Sequence, residues 1–334
     1  MRTEMQQGMF GMGGNPFFVG LPVPPEYFYG RRDQIMSIRD RIGSISPQCI
    51  SIVGFRRSGK SSLLRYIRER ISEFCTPEQQ PLIISLSLSD RRFHTPKGIT
   101  EGLRRGIANV TGNTPWQPED NDDPWAVDDG LQSLRDSGRR LIVLMDEFEQ
   151  IGVRLGVFDG WGEDWREKAN VQYFALVIST VRPIDETYKS IGLTSPFGNI
   201  FTTTELGALA LSEWQALIYD CFSRVNMTID DAELHFIDEV SGGFPFYVQL
   251  AASLIWRYKD LSRVREEYLV QVEPRFVALW NELSTLERQV LRQSVNLESH
   301  TNSGVRYMLQ RRGILRSNGK PFSSTFTEFM RNQP

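Results

Sequence analysis

The 334-residue sequence lacks any apolar run close to the roughly 18 residues that a membrane-spanning helix needs. Its first residues include Arg2, Glu4 and Gln6, which interrupt the continuous apolar stretch of a signal peptide. Hydrophobic residues make up 40% and charged residues 24% of the chain, which is typical of globular proteins rather than disordered ones. We therefore expect a globular protein of the cytoplasm, with no membrane partner.

Cysteine and histidine are also scarce, with three of each. The cysteines are odd in number and far apart, and no histidines are spaced to share a metal, so neither a disulfide framework nor a zinc site is supported. The net charge of −3 argues against a protein that coats nucleic acid over its whole surface, but it leaves room for a local basic patch. The residues concerned are Cys49, Cys75, Cys221, His94, His235 and His300.

Between residues 32 and 180, short apolar runs alternate with segments of helical periodicity. Strands are predicted at 49–53, 82–88, 141–145 and 173–179, and helices at 32–42, 63–74, 125–136 and after Thr95, with Pro96 as a first helical residue. The acidic stretch 119–129 is interpreted as a surface loop. Nearly continuous apolar strands that alternate with helices predict an α/β fold, a parallel sheet with helices on both faces.

From residue 211 onward the pattern becomes helical. Ser212 with Gln215, and Ser284 with Glu287, fit boxes that cap the first turn of a helix. Near the end, helical patterns at 285–293 and 304–312 are followed by Asn318-Gly319 between two short extended runs, a strong hairpin signal. We predict an extended arm at 1–28, a core at 29–208, a helical lid at 209–283 and a winged helix at 284–334.

The segment GFRRSGKS satisfies the phosphate-binding pattern G-x-x-x-x-G-K-[ST] and lies between a predicted strand and a predicted helix. Such a P-loop turns its backbone N–H groups toward phosphate oxygens, and the helix that follows adds a positive dipole end. Lys60 is expected to reach the β- and γ-phosphates, and the Ser61 hydroxyl to bind Mg²⁺. The predicted contacts are Gly54, Phe55, Arg56, Arg57, Ser58, Gly59, Lys60, Ser61 and Ser62.

A second predicted strand, LIVLM, ends in Asp146-Glu147. Ligands of parallel sheets gather at the carboxyl ends of the strands, so these carboxylates are expected beside the P-loop. Asp146 would hold Mg²⁺ and Glu147 would orient or deprotonate the attacking water. The other interpretation is that the two acids merely solvate the end of a strand.

The strand ALVIST supplies a third group of candidates at the same edge. Either Ser179 or Thr180 would sense the γ-phosphate, and Thr180 is taken as the catalytic candidate; a polar strand terminus is the alternative. Arg182, two residues further on, would contact a phosphate or form a surface salt bridge.

In motif order, the sequence resembles the STAND branch of the AAA+ ATPases, relatives of origin-recognition ATPases and of immune-receptor nucleotide-binding modules. The resemblance covers residues 15–334 and implies ATP or ADP as ligand. PPEYFYGRRDQI is similar to a family motif that lies over the adenine, and SGGFPFYVQL is similar to the G-x-P motif of the lid. The implied nucleotide contacts are Phe28, Tyr29, Gly30, Arg31, Gly243 and Pro245. The family's winged-helix histidine has no counterpart in PFSSTFTEF.

The resemblance implies a slow ATPase switch whose nucleotide state controls a homo-oligomer or a partner protein in trans. The alternative is a DNA-engaging ATPase that binds duplex through a basic winged helix. Residues 284–334 carry eight basic and three acidic side chains, a local charge of +5. They are Arg288, Arg292, Arg306, Arg311, Arg312, Arg316, Lys320 and Arg331 against Glu287, Glu298 and Glu328.

Overall fold

Five parallel strands form the sheet at the centre of the first compact unit of the chain. The computed structural model describes residues 14–154, 156–158, 160–189, 196–296 and 302–333. The strands lie in the order β2-β3-β4-β1-β5, and every pairing between neighbours is parallel. Their bounds are β1 Cys49–Val53, β2 Pro81–Ser87, β3 Arg140–Asp146, β4 Ala175–Thr180 and β5 Phe201–Glu205. The predicted α/β parallel sheet is confirmed.

Helices connect these strands and cover the sheet. They are α1 Arg32–Ile42, α2 Lys60–Glu69, α3 Pro96–Thr111, α4 Pro124–Asp136, α5 Glu149–Gly152, α6 Trp161–Asn170 and α7 Ile184–Lys189. Alternate strand residues join the side chains of α3, α4 and α6 in one apolar core, and the intervening residues Ile142 and Leu144 are also buried, so both faces of the sheet are covered. α2 packs against β3 and β4.

Two predictions for this unit differ from the structure in their bounds. The helix predicted at 63–74 begins at Lys60 and ends at Glu69, because the chain leaves helical geometry at Arg70 (φ −120°, ψ 33°) and only a short 3₁₀ turn follows. The stretch 119–129 is not a loop throughout, because α4 begins at Pro124. Asp123 caps this helix by accepting a hydrogen bond from the Trp125 N–H, and proline suits a first helical position.

The second compact unit comprises residues 14–31, 55–59 and 206–333. Its helices are α8 Leu211–Arg224, α9 Asp231–Ser241, α10 Pro245–Tyr258, α11 Leu261–Glu282, α12 Thr285–Asn296, α13 Ser303–Arg311 and α14 Ser324–Arg331. The sequence placed the start of α8 too late, because Ala210 rather than Ser212 precedes the first turn and its N–H is bound by Glu213. The box of Ser284 and Glu287 is present at the start of α12.

The N-terminal arm packs within this same unit. The Phe18 N–H donates to Gln249 Oε1 at 2.7 Å, and the Phe17 ring lies 5.3 Å from that of Phe222. Asn15 donates to the Ser253 hydroxyl at 2.7 Å. The first 13 residues of the predicted arm lie outside the described residues.

The hairpin predicted around Asn318-Gly319 is reduced to a single antiparallel bridge between Leu315 and Pro321. Two backbone hydrogen bonds flank this bridge, from the Arg316 N–H to the Lys320 carbonyl at 2.8 Å and from the Phe322 N–H to the Ile314 carbonyl at 2.9 Å. Helix α14, capped by Ser323, was not expected from the sequence. Within the part of the chain that the structure describes, no helix has the length and apolar character to span a membrane.

Candidate nucleotide site

The P-loop leaves the sheet at the end of β1 and leads directly into α2. The Gly54 N–H donates to the Thr180 carbonyl at 3.1 Å, which anchors the start of the loop to the end of β4. Lys60, 9% exposed, donates from Nζ to the Gly54 carbonyl at 2.7 Å. Gly59 has a φ of 98°, and Arg57, with a φ of 73°, also lies in the left-handed region that non-glycine residues rarely adopt. The loop therefore curls around the lysine ammonium.

Asp146 is the last residue of β3 and Glu147 is the first residue after it, and Ser179 of β4 bonds to both. The Ser179 hydroxyl donates to Asp146 Oδ1. The Glu147 N–H points to Asp146 Oδ1 at 3.0 Å and to Ser179 Oγ at 3.2 Å. Glu147 has a φ of 56°, so the chain turns sharply at this residue in a strained conformation, and such strain concentrates at functional sites. The Asp146 carboxylate, the Ser179 hydroxyl and the Glu147 backbone N–H therefore form a single hydrogen-bonded group.

The structure brings the hydroxyl of Ser179, and not that of Thr180, to the Asp146 carboxylate. Thr180 Oγ1 donates instead to the Arg182 carbonyl at 2.6 Å. Successive residues of a strand point to opposite faces, so only one of the two hydroxyls can meet Asp146. Arg182 lies 3.4 Å from Glu186 one helical turn away, which is the surface salt bridge weighed as its alternative.

The chemistry of Ser61 and Asp146 suits Mg²⁺. A hydroxyl and a carboxylate are hard oxygen donors, which this ion prefers, and magnesium sites use few protein ligands together with phosphate oxygens and water. The described residues contain no group of three or more His, Cys, Asp or Glu side chains that could hold a metal ion.

Arg31, one of the predicted adenine-side residues, contacts the P-loop itself. It is 5% exposed, and its guanidinium donates to the carbonyls of Ser58 at 3.1 Å and Gly207 at 2.6 Å. Burial lowers the pKa of Arg31 to about 10, and the nearby Glu213 carboxylate opposes this shift. Glycine is favoured at position 30, because its φ of 72° lies in the left-handed region that other residues rarely adopt.

Of the other predicted adenine and lid residues, Pro245 lies close to the P-loop, whereas Tyr29 bonds to Asp220. The Tyr29 hydroxyl bonds to Asp220, and burial raises the pKa of Tyr29 well above its usual range, with Asp220 adding to the shift. Phe28 is half-buried. Pro245 begins α10 close to the P-loop, since a Cβ on Gly59 would lie 3.8 Å from the proline Cγ.

The C-terminal residues add a P-loop contact that the sequence did not predict. Arg312 is 2% exposed, its guanidinium lies 3.7 Å from the centre of the Phe55 ring, and it forms an ion pair of 2.8 Å with Glu287. Its helical spacing from the buried Leu309, three residues earlier on the same face, was the available signal. Arg316 is also internal, since it bonds to Asp238 and to the Phe322 carbonyl.

Comparison with known proteins identifies the fold. No protein-family model and no curated protein matches the sequence. Among solved structures, the Walker-type ATPase PABY2304 of Pyrococcus abyssi is similar with a TM-score of 0.65 at 14% identity, over 95% of this chain and 99% of that one. The ORC2 protein of Aeropyrum pernix, solved as ADPNP-ADP complexes, is similar with a TM-score of 0.52 at 15% identity, over 92% and 86%. The chain therefore has the α/β fold of P-loop ATPases.

Proposed function

We propose that this chain is an ATP-binding, Mg²⁺-dependent and slowly hydrolysing ATPase that acts as a STAND-type switch. Its nucleotide state would control a homo-oligomer or a partner protein. The observation that carries the proposal is the composition of the second compact unit, in which residues 55–59 of the P-loop cluster with the helices that follow residue 206. A phosphate bound by this loop would thus act directly on contacts made by those helices.

The hydrolytic step can be assigned to residues at the ends of β1, β3 and β4. Lys60 would neutralise phosphate charge, and Ser61 with Asp146 would hold Mg²⁺, which when bound stabilises charge on the phosphate oxygens. Glu147 would orient the attacking water and accept its proton. Ser179, hydrogen-bonded to Asp146, would keep that carboxylate in place and replaces Thr180 as our sensor candidate.

The switch requires that nucleotide changes the stability of one conformation relative to another. Three contacts with the P-loop could differ in strength between two such conformations. They are Arg31 with the Ser58 carbonyl, Pro245 with Gly59 and Arg312 with the Phe55 ring. A loop that adjusts to the γ-phosphate would alter these contacts. The slow rate itself is taken from the family resemblance.

Size-exclusion chromatography with light scattering tests this function. The full chain would be compared with ADP, with ATP and with a non-hydrolysable ATP analogue, each with and without duplex DNA. An ATP-dependent change in size that needs no DNA supports the switch. The absence of any nucleotide-dependent change, together with no ATP hydrolysis, would reject it.

The second candidate is a DNA-engaging ATPase, favoured by exposed basic residues in the C-terminal segment. Arg292, Arg311, Lys320 and Arg331 are exposed there. Two other arginines of this segment are unsuitable for a test of DNA binding. Arg312 is buried, and Arg316 is half-buried and forms a hydrogen bond with Asp238, so substitutions there would disturb the fold. Glu298, counted in the local charge, lies outside the described residues.

The matched test changes only exposed side chains, Arg311→Ala with Arg331→Ala. If the segment binds duplex, the double variant should bind more weakly across sequences, and the salt dependence should flatten by about one unit per lost phosphate contact. We expect instead that the unmodified chain binds duplex only in the nonspecific range of roughly 10⁻⁴ to 10⁻⁶ M. Submicromolar binding that the double variant loses would favour the DNA function.

A further inference from the structure

Two arginines converge on one aromatic ring within the second compact unit. Arg57, in the middle of the P-loop, has its guanidinium carbon 4.7 Å from the centre of the Phe246 ring. Arg275, on α11, lies 5.0 Å from the same centre. Phe246 is the second residue of α10 and is buried. The ring thus holds two like charges close together.

Neither arginine has a carboxylate partner among the described residues, as a contrast with their neighbours shows. The adjacent Arg56 forms an ion pair with Glu282, the acid on the same helix as Arg275. On that helix, Arg265 forms an ion pair with Glu239 at 3.0 Å. Arg57 and Arg275 form no such pair in the described part of the chain, so their charge is left without a protein counterion.

Arg275 also has an unused donor. Its Nη1 donates to the Gln271 carbonyl one turn earlier in the helix, but its Nε is buried without an acceptor among the described residues. The Ser58 hydroxyl, next to Arg57 in the loop, is likewise buried without a partner there. A buried donor left unpaired is destabilising, and more so when it carries a charge.

The electrostatics of Arg57 also favour a bound anion. Burial lowers the pKa of Arg57, and the charge of Arg275 lowers it further. An anion bound between the two guanidinium groups would offset the repulsion between their positive charges. It would also accept a hydrogen bond from the Arg275 Nε–H group, which has no acceptor among the described residues. Guanidinium groups bind phosphate oxygens in a planar, two-pronged geometry, and the loop that carries Arg57 matches a phosphate-binding pattern.

We propose that Arg57 and Arg275, supported by Phe246, bind a phosphate-class oxyanion at the middle of the P-loop. Two sources share this chemistry: the terminal phosphate of a bound nucleotide and free inorganic phosphate. The first source rests on the proposed ATPase function, whereas the second does not. The site adds to the phosphate contacts a residue from α11, which no sequence motif identifies.

Isothermal titration calorimetry of the full chain tests the site with three probes: Mg-ATP, Mg-ADP and inorganic phosphate. The test variant is Arg275→Gln, which keeps the stem against Phe246 and removes the charge. The control is Arg263→Gln on the same helix, whose guanidinium lies 4.2 Å over the Tyr258 ring. Lys60→Ala separates the two phosphate sources, and circular dichroism melts check that each variant folds.

If the site holds the terminal phosphate of a nucleotide, Arg275→Gln should weaken the binding of ATP about tenfold, as expected for the loss of one charged hydrogen bond. The same substitution should weaken the binding of ADP by less than twofold. If it holds free phosphate, Arg275→Gln should weaken that ion about tenfold, whereas Lys60→Ala should not. The control should change no affinity by more than twofold.

The site is refuted if Arg275→Gln matches the control with all three probes, or if the unmodified chain binds none of them. Phosphate binding that depends on Arg275 in a chain that binds no nucleotide would refute the ATPase proposal and keep the site. If Arg275→Gln unfolds at a lower temperature than the unmodified chain, Arg57→Gln serves as the second test variant. This substitution, at the more exposed arginine of the pair, should cause the same selective loss of affinity. Equal binding in that folded variant would also overturn the site.

Discussion

The buried Arg312 gives the sharpest prediction about stability. Its guanidinium pairs with Glu287 at 2.8 Å and lies over the Phe55 ring at 3.7 Å, and both charged side chains are buried. Arg312→Met keeps much of the volume but leaves the Glu287 carboxylate without this partner. Breaking a buried pair from one side costs about 3 to 5 kcal/mol, so we expect a loss of free energy of unfolding near the lower end of that range.

A double variant distinguishes the ion pair from simple packing. Replacing both members of a buried pair with uncharged residues is often neutral or stabilising, so Arg312→Met combined with Glu287→Gln should recover most of the loss. Arg311→Met, at the exposed last residue of α13 just before Arg312, should change the free energy of unfolding by no more than about 0.5 kcal/mol.

Urea unfolding followed by circular dichroism measures these differences in the transition that reports the second compact unit. If Arg312→Met is as stable as Arg311→Met, the ion pair of Arg312 and Glu287 makes no net contribution to the free energy of unfolding. A double variant no more stable than the single one would assign the loss to packing on Phe55 instead. Either result would contradict our account of Arg312.

The remaining predictions concern the candidate site. Lys60→Ala should abolish ATP binding measurable by calorimetry, and near-native affinity would reject the placement of the phosphates. Glu147→Gln should bind ATP but lose turnover by about 100-fold or more in a phosphate-release assay, because the basic oxygen is gone; unchanged turnover would mean that another group positions the water. Ser179→Ala should reduce turnover more than Thr180→Ala, because only Ser179 bonds to Asp146; the opposite order would restore Thr180 as the sensor.

The sequence by itself determined four of the five strands, the order of the motifs and the end of the sheet at which they were expected to meet, whereas β5 at Phe201–Glu205 was not predicted. The apolar run located β1 at Cys49–Val53 with the bounds that were predicted, since a strand buried on both faces is predominantly apolar, here with Ser51 as its one polar residue. The rule that parallel strands present ligands at their carboxyl ends placed Gly54 and Asp146 at one edge. Local capping chemistry located the start of α3 at Pro96 and of α12 at Thr285, because these signals involve neighbouring residues.

Tertiary structure alone decided which side chains meet. The choice between Ser179 and Thr180 depended on which face of β4 lies toward Asp146, and this register is set by pairing with β3 rather than by local sequence. Arg312 looked like surface charge because a basic residue is usually solvated, but packing placed it against Phe55, more than 200 residues earlier in the chain. The convergence of Arg57 and Arg275 on Phe246 is likewise a long-range contact, and no local pattern can encode it.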